Sequence, residues 1–207
     1  SASEATPLEL FYDDFDENGS VDPLVSYYIQ GKSYPDITRD ELLRQLGGLR
    51  ATFTSYESYA DVSLSEAIGK NRLKKAGHLS INHLSTSIFL SQEDGTYSLS
   101  ALPKEVQYAP VHTIKLLDVN QDGKKDLLLC GNDNHTKLRM GKMDANYGML
   151  MLGEGIGSFS YVPQTRSGLR IKGDVRSALF MDNKLILGMN AGPMLTYTLN
   201  SQLLSAL

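Results

Sequence analysis

The apolar residues of this chain fall mainly in short runs with partial alternation of apolar and polar positions, which is typical of β-strands. Two pairs of runs, residues 8–12 with 23–30 and residues 111–117 with 126–131, each enclose a polar loop. Further strands are expected at about 77–83, 86–91 and 97–101, which would complete the first repeat, at 147–152 and 158–162, and at 175–181, 184–189 and 193–199. The pattern therefore predicts a mainly β protein.

One region departs from this pattern. Between about residues 35 and 75, leucines recur at helical spacing, and Thr38 with Glu41 forms a capping box at the start of a helix. Residues 49–59 are predicted to continue as a second helical stretch, and residues 63–69 as a third short turn that ends at a glycine. We therefore expect a helical insertion, residues 35–75, within the first repeat.

The aromatic side chains of this insertion allow two interpretations. Phe53, Tyr56 and Tyr59 could line a groove for a partner, or they could pack the insertion against its parent domain. Packing is the favoured interpretation, because an apolar stripe at helical spacing usually faces the core. The basic stretch at residues 70–75 is expected to be a solvated surface.

The two polar loops share one spacing of oxygen-bearing side chains. In each loop these side chains stand at positions 1, 3, 5 and 9, and a glycine stands at position 6. This alternation can turn successive oxygens onto one hard cation, and a main-chain carbonyl at position 7 can add a ligand. The predicted ligands are Asp14, Asp16, Asn18, Ser20 and Asp22 in the first loop, and Asp118, Asn120, Asp122, Lys124 and Asp126 in the second. Ca²⁺ at two sites is the expected occupant. The alternative is a pair of Asp/Asn-rich hairpin turns that bind no metal.

These loops differ from an EF-hand. An EF-hand has a bidentate glutamate at position 12 and a helix on each side. Position 12 is Val25 in the first loop and Leu129 in the second, and the flanking residues are typical of strands. Each copy is therefore expected to be strand, calcium loop and strand.

The strand–Dx(D/N)x(D/N)GxxD–strand pattern resembles the FG-GAP/VCBS repeat, the blade of integrin-α-like β-propellers, in its bacterial secreted form. The closing segments of that repeat are matched at residues 92–97 and 152–159, and residues 102–107 and the Gly131-Asn132 pair are also similar to it. The resemblance implies structural calcium, a recognition function for the propeller face, and a secreted protein that is extracellular, at the cell surface or periplasmic.

The resemblance implies a single domain of propeller-type repeats over residues 1–207, with about three blades and the helical insertion. The third unit begins near residue 167, lacks a calcium loop, and has Asp182-Asn183 as a two-residue hairpin turn. Three blades do not close a ring, since propellers typically have about 4–8 blades. The chain is therefore expected to be part of a longer propeller, or to associate with itself, or to cover its open face with the insertion; the first is favoured.

The charge and composition of the chain argue against several classes of function. The net charge of −4 and the pI of about 5.6 argue against a general binder of nucleic acid or of anionic membranes. No apolar run reaches the roughly 18–20 residues of a membrane-spanning helix. The single cysteine, Cys130, excludes an intrachain disulfide and is expected to be a buried apolar side chain.

No catalytic residue is predicted. The four histidines, His78, His83, His112 and His135, have no metal-ligand spacing, and no HExxH or GxSxG motif occurs. The predicted function is a non-enzymatic, calcium-stabilised recognition module with a protein or glycan ligand. The alternatives are a structural segment of a surface assembly and a propeller-scaffold enzyme acting on polysaccharide; the candidates for the latter are Arg139, Asp144, Arg170 and Asp174.

Overall fold

The computed structural model describes residues 2–198, and its secondary structure is mainly β, with 39% strand and 17% helix. Within these residues, the strands form four antiparallel sheets, none of which closes into a barrel. The prediction of a mainly β protein is confirmed. By its contacts the chain divides into two compact units, residues 1–84 and residues 85–207. The interpretation of the chain as a single repeat domain stays a prediction.

The first unit contains one four-stranded sheet and a helical segment. Its sheet has the order β3-β2-β1-β4, so β2 follows β1 through the first polar loop and β4 pairs with the other edge of β1. The elements are β1 (Leu8–Asp13), β2 (Asp22–Ile29), β3 (Lys32–Pro35), α1 (Arg39–Gln45), a 3₁₀ helix (Gly47–Ala51), α2 (Leu64–Ile68), α3 (Lys70–Leu73) and β4 (Gly77–Ile81).

The helices lie between β3 and β4, within the predicted insertion. Thr38 and Ser63 cap α1 and α2, and each forms the reciprocal capping box with the glutamate three residues later. The predicted second helix is wrong beyond residue 51. Ser55 and Ser58 bond to each other's backbone there, because short hydroxyl side chains compete with the helical hydrogen bonds.

The insertion packs on its parent sheet. Leu24 of β2 shares a buried cluster with leucines of α1 and with residues of α2, and Phe53, 4% exposed, belongs to the same cluster. Tyr59 packs against that cluster, whereas Tyr56 is 68% exposed. The packing interpretation is therefore confirmed for two of the three aromatic residues.

The second unit contains three sheets. Its elements are β5 (Ser87–Ser91), β6 (Tyr97–Ala101), a 3₁₀ helix (Lys104–Tyr108), β7 (Val111–Leu117), β8 (Asp126–Gly131), a 3₁₀ helix (Leu138–Met140), β9 (Met149–Gly155), β10 (Ser158–Val162), α4 (Gln164–Ser167), β11 (Val175–Met181), β12 (Lys184–Met189) and β13 (Leu195–Thr198). The sheets have the orders β5-β6, β10-β9-β8-β7 and β11-β12-β13. The turn at Asp182-Asn183 joins β11 to β12 with positive φ at both residues, as predicted. Residue 199 of the predicted last strand lies outside the described residues.

One prediction about strand order is wrong. The strands near residues 77–83, 86–91 and 97–101 were expected to complete one repeat, but only β4 joins the sheet of β1. The strands β5 and β6 form a separate hairpin in the second unit. The reason is that alternation along a strand specifies its two faces, not the sheet in which it pairs.

The inner strands of the four-stranded sheet in the second unit are buried on both faces. Leu127 and Leu129 of β8 lie in one cluster, with Val106 and the partly buried Ile88 of β5. Leu128 and Cys130 lie in another cluster, which includes side chains of β11 and β12. Successive side chains of β8 therefore enter different apolar clusters, one on each face of the sheet. No helix described here is long and apolar enough to span a lipid bilayer.

Candidate metal centre

Each polar loop joins two paired strands at equivalent positions. Asp13 pairs with Asp22 at the end of the β1–β2 hairpin, and Leu117 pairs with Asp126 at the end of the β7–β8 hairpin. In both hairpins the residue before position 1 therefore pairs with the residue at position 9, so the two loops begin and end at the same point of the strand register.

The first loop is closed by its own carboxylates. The two carboxylate oxygens of Asp14 accept hydrogen bonds from the backbone N–H groups of Asn18, at 2.9 Å, and Gly19, at 2.8 Å. Asp22 accepts a hydrogen bond from the N–H of Phe15, at 3.1 Å. These contacts fold the chain around the carboxylate at position 1.

The second loop has the same connectivity. Asp118 accepts hydrogen bonds from the N–H groups of Asp122 and Gly123, both at 3.1 Å. Asp126 accepts one from the N–H of Val119, at 2.8 Å. Positions 1, 2, 5, 6 and 9 are therefore joined in the same way in two segments of different sequence.

The backbone conformation also repeats. Position 4 has a positive φ in both loops, 60° at Glu17 and 61° at Gln121, and so does the glycine at position 6, 88° at Gly19 and 83° at Gly123. Glycine adopts such angles without the steric cost of a β-carbon, which is why it stands at position 6. The prediction of one loop type in two copies agrees with this geometry.

The loops differ in how closely their carboxylates converge. Asp14, Asp16 and Asp22 each offer an oxygen within 4.8 Å of the others, and Asp22 is 4% exposed. Among the residues that the structure describes, the carboxylates of Asp118, Asp122 and Asp126 do not form such a group. The first loop therefore has the more converged set of predicted ligands.

Asp126 also forms a hydrogen bond with the neighbouring strand β9. Its other carboxylate oxygen accepts a hydrogen bond from the N–H of Gly153 in β9, at 2.9 Å, and the side chain is fully buried. A β-carbon at Gly153 would lie 2.2 Å from the carbonyl oxygen of Lys125, so only glycine permits this approach. Gly153, which lies in the segment at residues 152–159, thus connects the end of the second loop to the β9–β10 hairpin.

Three of the remaining predicted ligands, Asn18, Asn120 and Asp122, form hydrogen bonds within their own loops. The side-chain oxygen of Asn18 accepts a hydrogen bond from the N–H of Ser20, and that of Asp122 accepts one from the N–H of Lys124, both at 2.8 Å. The hydrogen bond from Lys124 lowers the pKa of Asp122, so this carboxylate is ionised at neutral pH. Asn120 accepts a longer bond, 3.3 Å, from the N–H of Asp122.

The donor set of both loops fits a hard cation. Side chains at positions 1, 3, 5 and 9 supply only carboxylate and amide oxygens, and Ser20 and Lys124 at position 7 have main-chain carbonyls. Carboxylate and carbonyl oxygens suit Ca²⁺, which accepts irregular coordination, better than transition metals that prefer nitrogen or sulfur. The residues present are therefore compatible with the calcium that the family resemblance implies.

A second polar cluster was not predicted. Asp133, His135 and Asp174 each offer a ligand atom within 4.8 Å of the others, although sequence spacing does not connect them. Asp174 is 1% exposed and forms an ion pair with Arg176, whose terminal nitrogen donates to Oδ2 at 2.8 Å and whose Nε lies 2.7 Å from Oδ1. Asn190 donates a further bond, at 3.0 Å. The positive charge at Asp174 is thus already supplied by Arg176.

These contacts set the ionisation of Asp174. Burial alone would raise the pKa of its carboxyl, but the hydrogen bonds from Arg176 and Asn190 outweigh burial and lower the pKa below its usual value. Asp174, one of the acids considered for an enzymatic function, is therefore a buried partner of an ion pair. Asp144 and Arg170, considered with it, are exposed.

Replacing Arg176 by alanine should destabilise the second unit in a pH-dependent way. At neutral pH the buried Asp174 carboxylate would lose its main partner, at a cost of about 1–3 kcal/mol. The wild-type carboxylate has a lowered pKa, so its stabilisation is present above the unfolded pKa of about 3.9 and is lost as pH falls through the folded value. The variant should instead have a raised pKa at Asp174, so its deficit should shrink as the solution is acidified.

Urea unfolding at neutral and at acidic pH measures this deficit. The exposed Arg170→Ala is the matched control and should have little effect at either pH. A deficit in Arg176→Ala that does not change with pH would show that Arg176 acts by packing and not by its charge.

Other side chains are placed as their sequence context indicates. Cys130 is 1% exposed, and burial raises the pKa of its thiol to about 12, so it is inert at neutral pH. Asn132 is fully buried and joins the two ends of the following loop, since its side chain donates to the carbonyl of Asn146 and accepts from the N–H of the same residue. The Gly131-Asn132 pair thus has a structural function.

Comparison of the chain with protein-family models, with curated proteins and with solved structures finds no match.

Proposed function

We propose that this chain is a calcium-stabilised, non-enzymatic binding module built from propeller-type blades of the FG-GAP/VCBS kind, and that it recognises a protein or glycan ligand outside the cell. The observation that carries the proposal is the repeated loop. Two segments of different sequence have the same hydrogen bonds and the same positive φ angles around a carboxylate at position 1. An ordinary Asp-rich turn has no reason to repeat nine positions in this way.

The layering of the second unit supports the blade arrangement. Its four-stranded antiparallel sheet has consecutive strands as neighbours, and its inner strands β8 and β9 are covered on one face by β11 and β12 and on the other by β5 and the 3₁₀ helix Lys104–Tyr108. Radially stacked blades have this property, because each inner blade is covered by a neighbour on either side. A two-layer sandwich would leave one face of the sheet to solvent.

Calcium would act by joining the two strands of each hairpin. In the first loop, Asp14, Asp16 and Asp22 place three negative charges close together, and a divalent cation would remove their mutual repulsion. Because the full ligand set exists only in the folded hairpin, binding would stabilise the fold. Extracellular modules of this type bind calcium with a Kd of about 10⁻⁴–10⁻³ M.

Calcium at about 10 mM should therefore raise the free energy of unfolding by about 1–3 kcal/mol, which corresponds to several degrees in Tm. The measurement is a thermal melt in calcium, in excess chelator, and in magnesium at the same concentration. Magnesium should have a much smaller effect, because it requires a smaller, regular octahedral site.

Two variants at position 3 of the loops test whether the calcium-induced increase in Tm comes from these loops. Asp16 has no hydrogen-bond partner within the described part of the chain, and its charge lies close to those of Asp14 and Asp22, so Asp16→Ala should leave the Tm in chelator unchanged or slightly raised and should remove the calcium shift of the first unit. Asn120→Ala should do the same for the second unit, since it loses only the 3.3 Å bond. A calcium shift that persists in the double variant would overturn the assignment of the ion to these loops.

A further inference from the structure

The first unit contains a cleft lined by residues outside its calcium loop. The cleft lies between the sheet, where β1, β2 and β3 contribute residues, and the helical insertion, where α2 and α3 contribute. Its volume of about 530 Å³ is within the range of small-molecule pockets, about 300–1,000 Å³. The insertion thus builds a concave surface that a plain four-stranded sheet lacks.

A shielded carboxylate lines the cleft. The side chain of Glu9 in β1 is only 12% exposed, and Nε2 of His78 in β4 lies 3.0 Å from its Oε1. Tyr28 in β2 also lines the cleft, and partial burial together with the neighbouring Glu9 carboxylate raises the pKa of its hydroxyl. Tyr28 is therefore a neutral donor and acceptor at pH 7, beside an acceptor of fixed position.

The rest of the lining combines charged groups with an apolar wall. Lys32 lies 3.6 Å from Glu66 and 3.3 Å from Asp61, so the cation at the cleft is already neutralised. Ser33 supplies a hydroxyl, and the ring of Phe11, which stacks on His78 with centroids 4.5 Å apart, supplies aromatic surface. Donors, acceptors and aromatic carbon are thus all within one small cleft.

We propose that this cleft binds a neutral saccharide. Sugar hydroxyls can donate to the Glu9 carboxylate in strong charge-assisted hydrogen bonds, and the C–H face of a pyranose ring can pack on Phe11 or Tyr28. An anionic ligand would be repelled by the shielded Glu9 carboxylate, and an apolar ligand would displace water from Glu9, Tyr28 and Ser33 without replacing its hydrogen bonds.

This inference rests on the proposed recognition function, for which it names the ligand class and the site. The saccharide would bind in the cleft that the helical insertion forms with the sheet. It does not depend on an ion in the calcium loops, since none of the cleft residues belongs to the predicted ligand set.

The test is binding of five neutral sugars, D-glucose, D-galactose, D-mannose, L-fucose and N-acetyl-D-glucosamine, to the full chain, each at about 10 mM to detect millimolar affinity. Saturation-transfer NMR detects binding, and a titration gives the Kd. Putrescine at the same concentration serves as the cationic probe. Binding of at least one sugar and not of putrescine is expected; binding of putrescine alone, or of neither, would overturn the proposal.

Two variants assign the binding to the cleft. Glu9→Gln keeps the size of the side chain but removes its charge, and should weaken binding by about tenfold or more. Ser33→Phe fills the cleft from a strand position that accepts aromatic residues, and should abolish binding without disturbing Glu9. The control Glu57→Gln changes an exposed glutamate outside the cleft and should leave the Kd unchanged. Sugar binding that survives Ser33→Phe in a folded protein would overturn the assignment.

Sugar binding and the calcium-dependent melt test the saccharide site and the calcium loops separately. Sugar binding is measured in calcium and in chelator, with circular dichroism as a check of folding. A calcium-dependent melt without sugar binding would refute only the saccharide site. Sugar binding at the cleft without a calcium-dependent melt would refute only the calcium loops.

Discussion

Replacing Leu129 by alanine is expected to lower the free energy of unfolding by about 2–5 kcal/mol, and Leu128→Ala to lower it by a similar amount. These neighbours on β8 point to opposite faces of the sheet, yet Leu129 is 0% exposed and Leu128 only 3% exposed. Each therefore leaves a cavity in a different apolar cluster when it is truncated. Equal losses at adjacent positions are expected for a strand that is buried on both faces.

Urea unfolding followed by circular dichroism measures both losses. Ile114 on the neighbouring strand β7 is 54% exposed, so Ile114→Ala is the control and should cost well under 1 kcal/mol, about the range of surface substitutions. If one of the two leucine variants is as mild as the control, one face of the sheet is solvated and the stacked-blade arrangement is wrong for this unit.

Asp126→Asn is the second substitution with a large expected effect. The buried carboxylate accepts hydrogen bonds from Val119 at 2.8 Å and from Gly153 at 2.9 Å, and so joins the second loop to β9. An asparagine of the same shape has one acceptor oxygen, so one of these N–H groups would face an amide donor. Since hydrogen bonds to charged groups contribute about 1.5–3 kcal/mol each, a loss of about 2–4 kcal/mol is expected.

The loss is measured in excess chelator, so that any calcium binding does not contribute. Asp122→Asn is the matched control, because it removes the same charge from an exposed position of the same loop. Its effect in chelator should be much smaller. Equal effects of the two variants would mean that the charge of the loop matters and the bridge to Gly153 does not.

The two polar loops show which features of the candidate metal centre the sequence predicts and which it does not. The spacing of oxygens and glycine predicts two equivalent loops between strands, and the repeated hydrogen bonds of Asp14 and Asp118 agree with it. The difference between the loops is not visible in the spacing. In the second loop, Asp126 accepts a hydrogen bond from the N–H of Gly153 in the next hairpin. In the first loop, the carboxylate of Asp22 instead lies close to those of Asp14 and Asp16.

Sequence patterns were sufficient to predict the local features: the short strands, the capping box at Thr38, the turn at Asp182-Asn183 and the shape of the polar loops. Each depends on residues within a few positions of one another, where alternation, capping and turn chemistry act.

The tertiary structure alone decided the separation of β5 and β6 from the first sheet, the meeting of Asp133, His135 and Asp174, and the cleft around Glu9. These features join residues that are distant in the chain. Local patterns specify which face of an element is apolar, but not which other face will cover it.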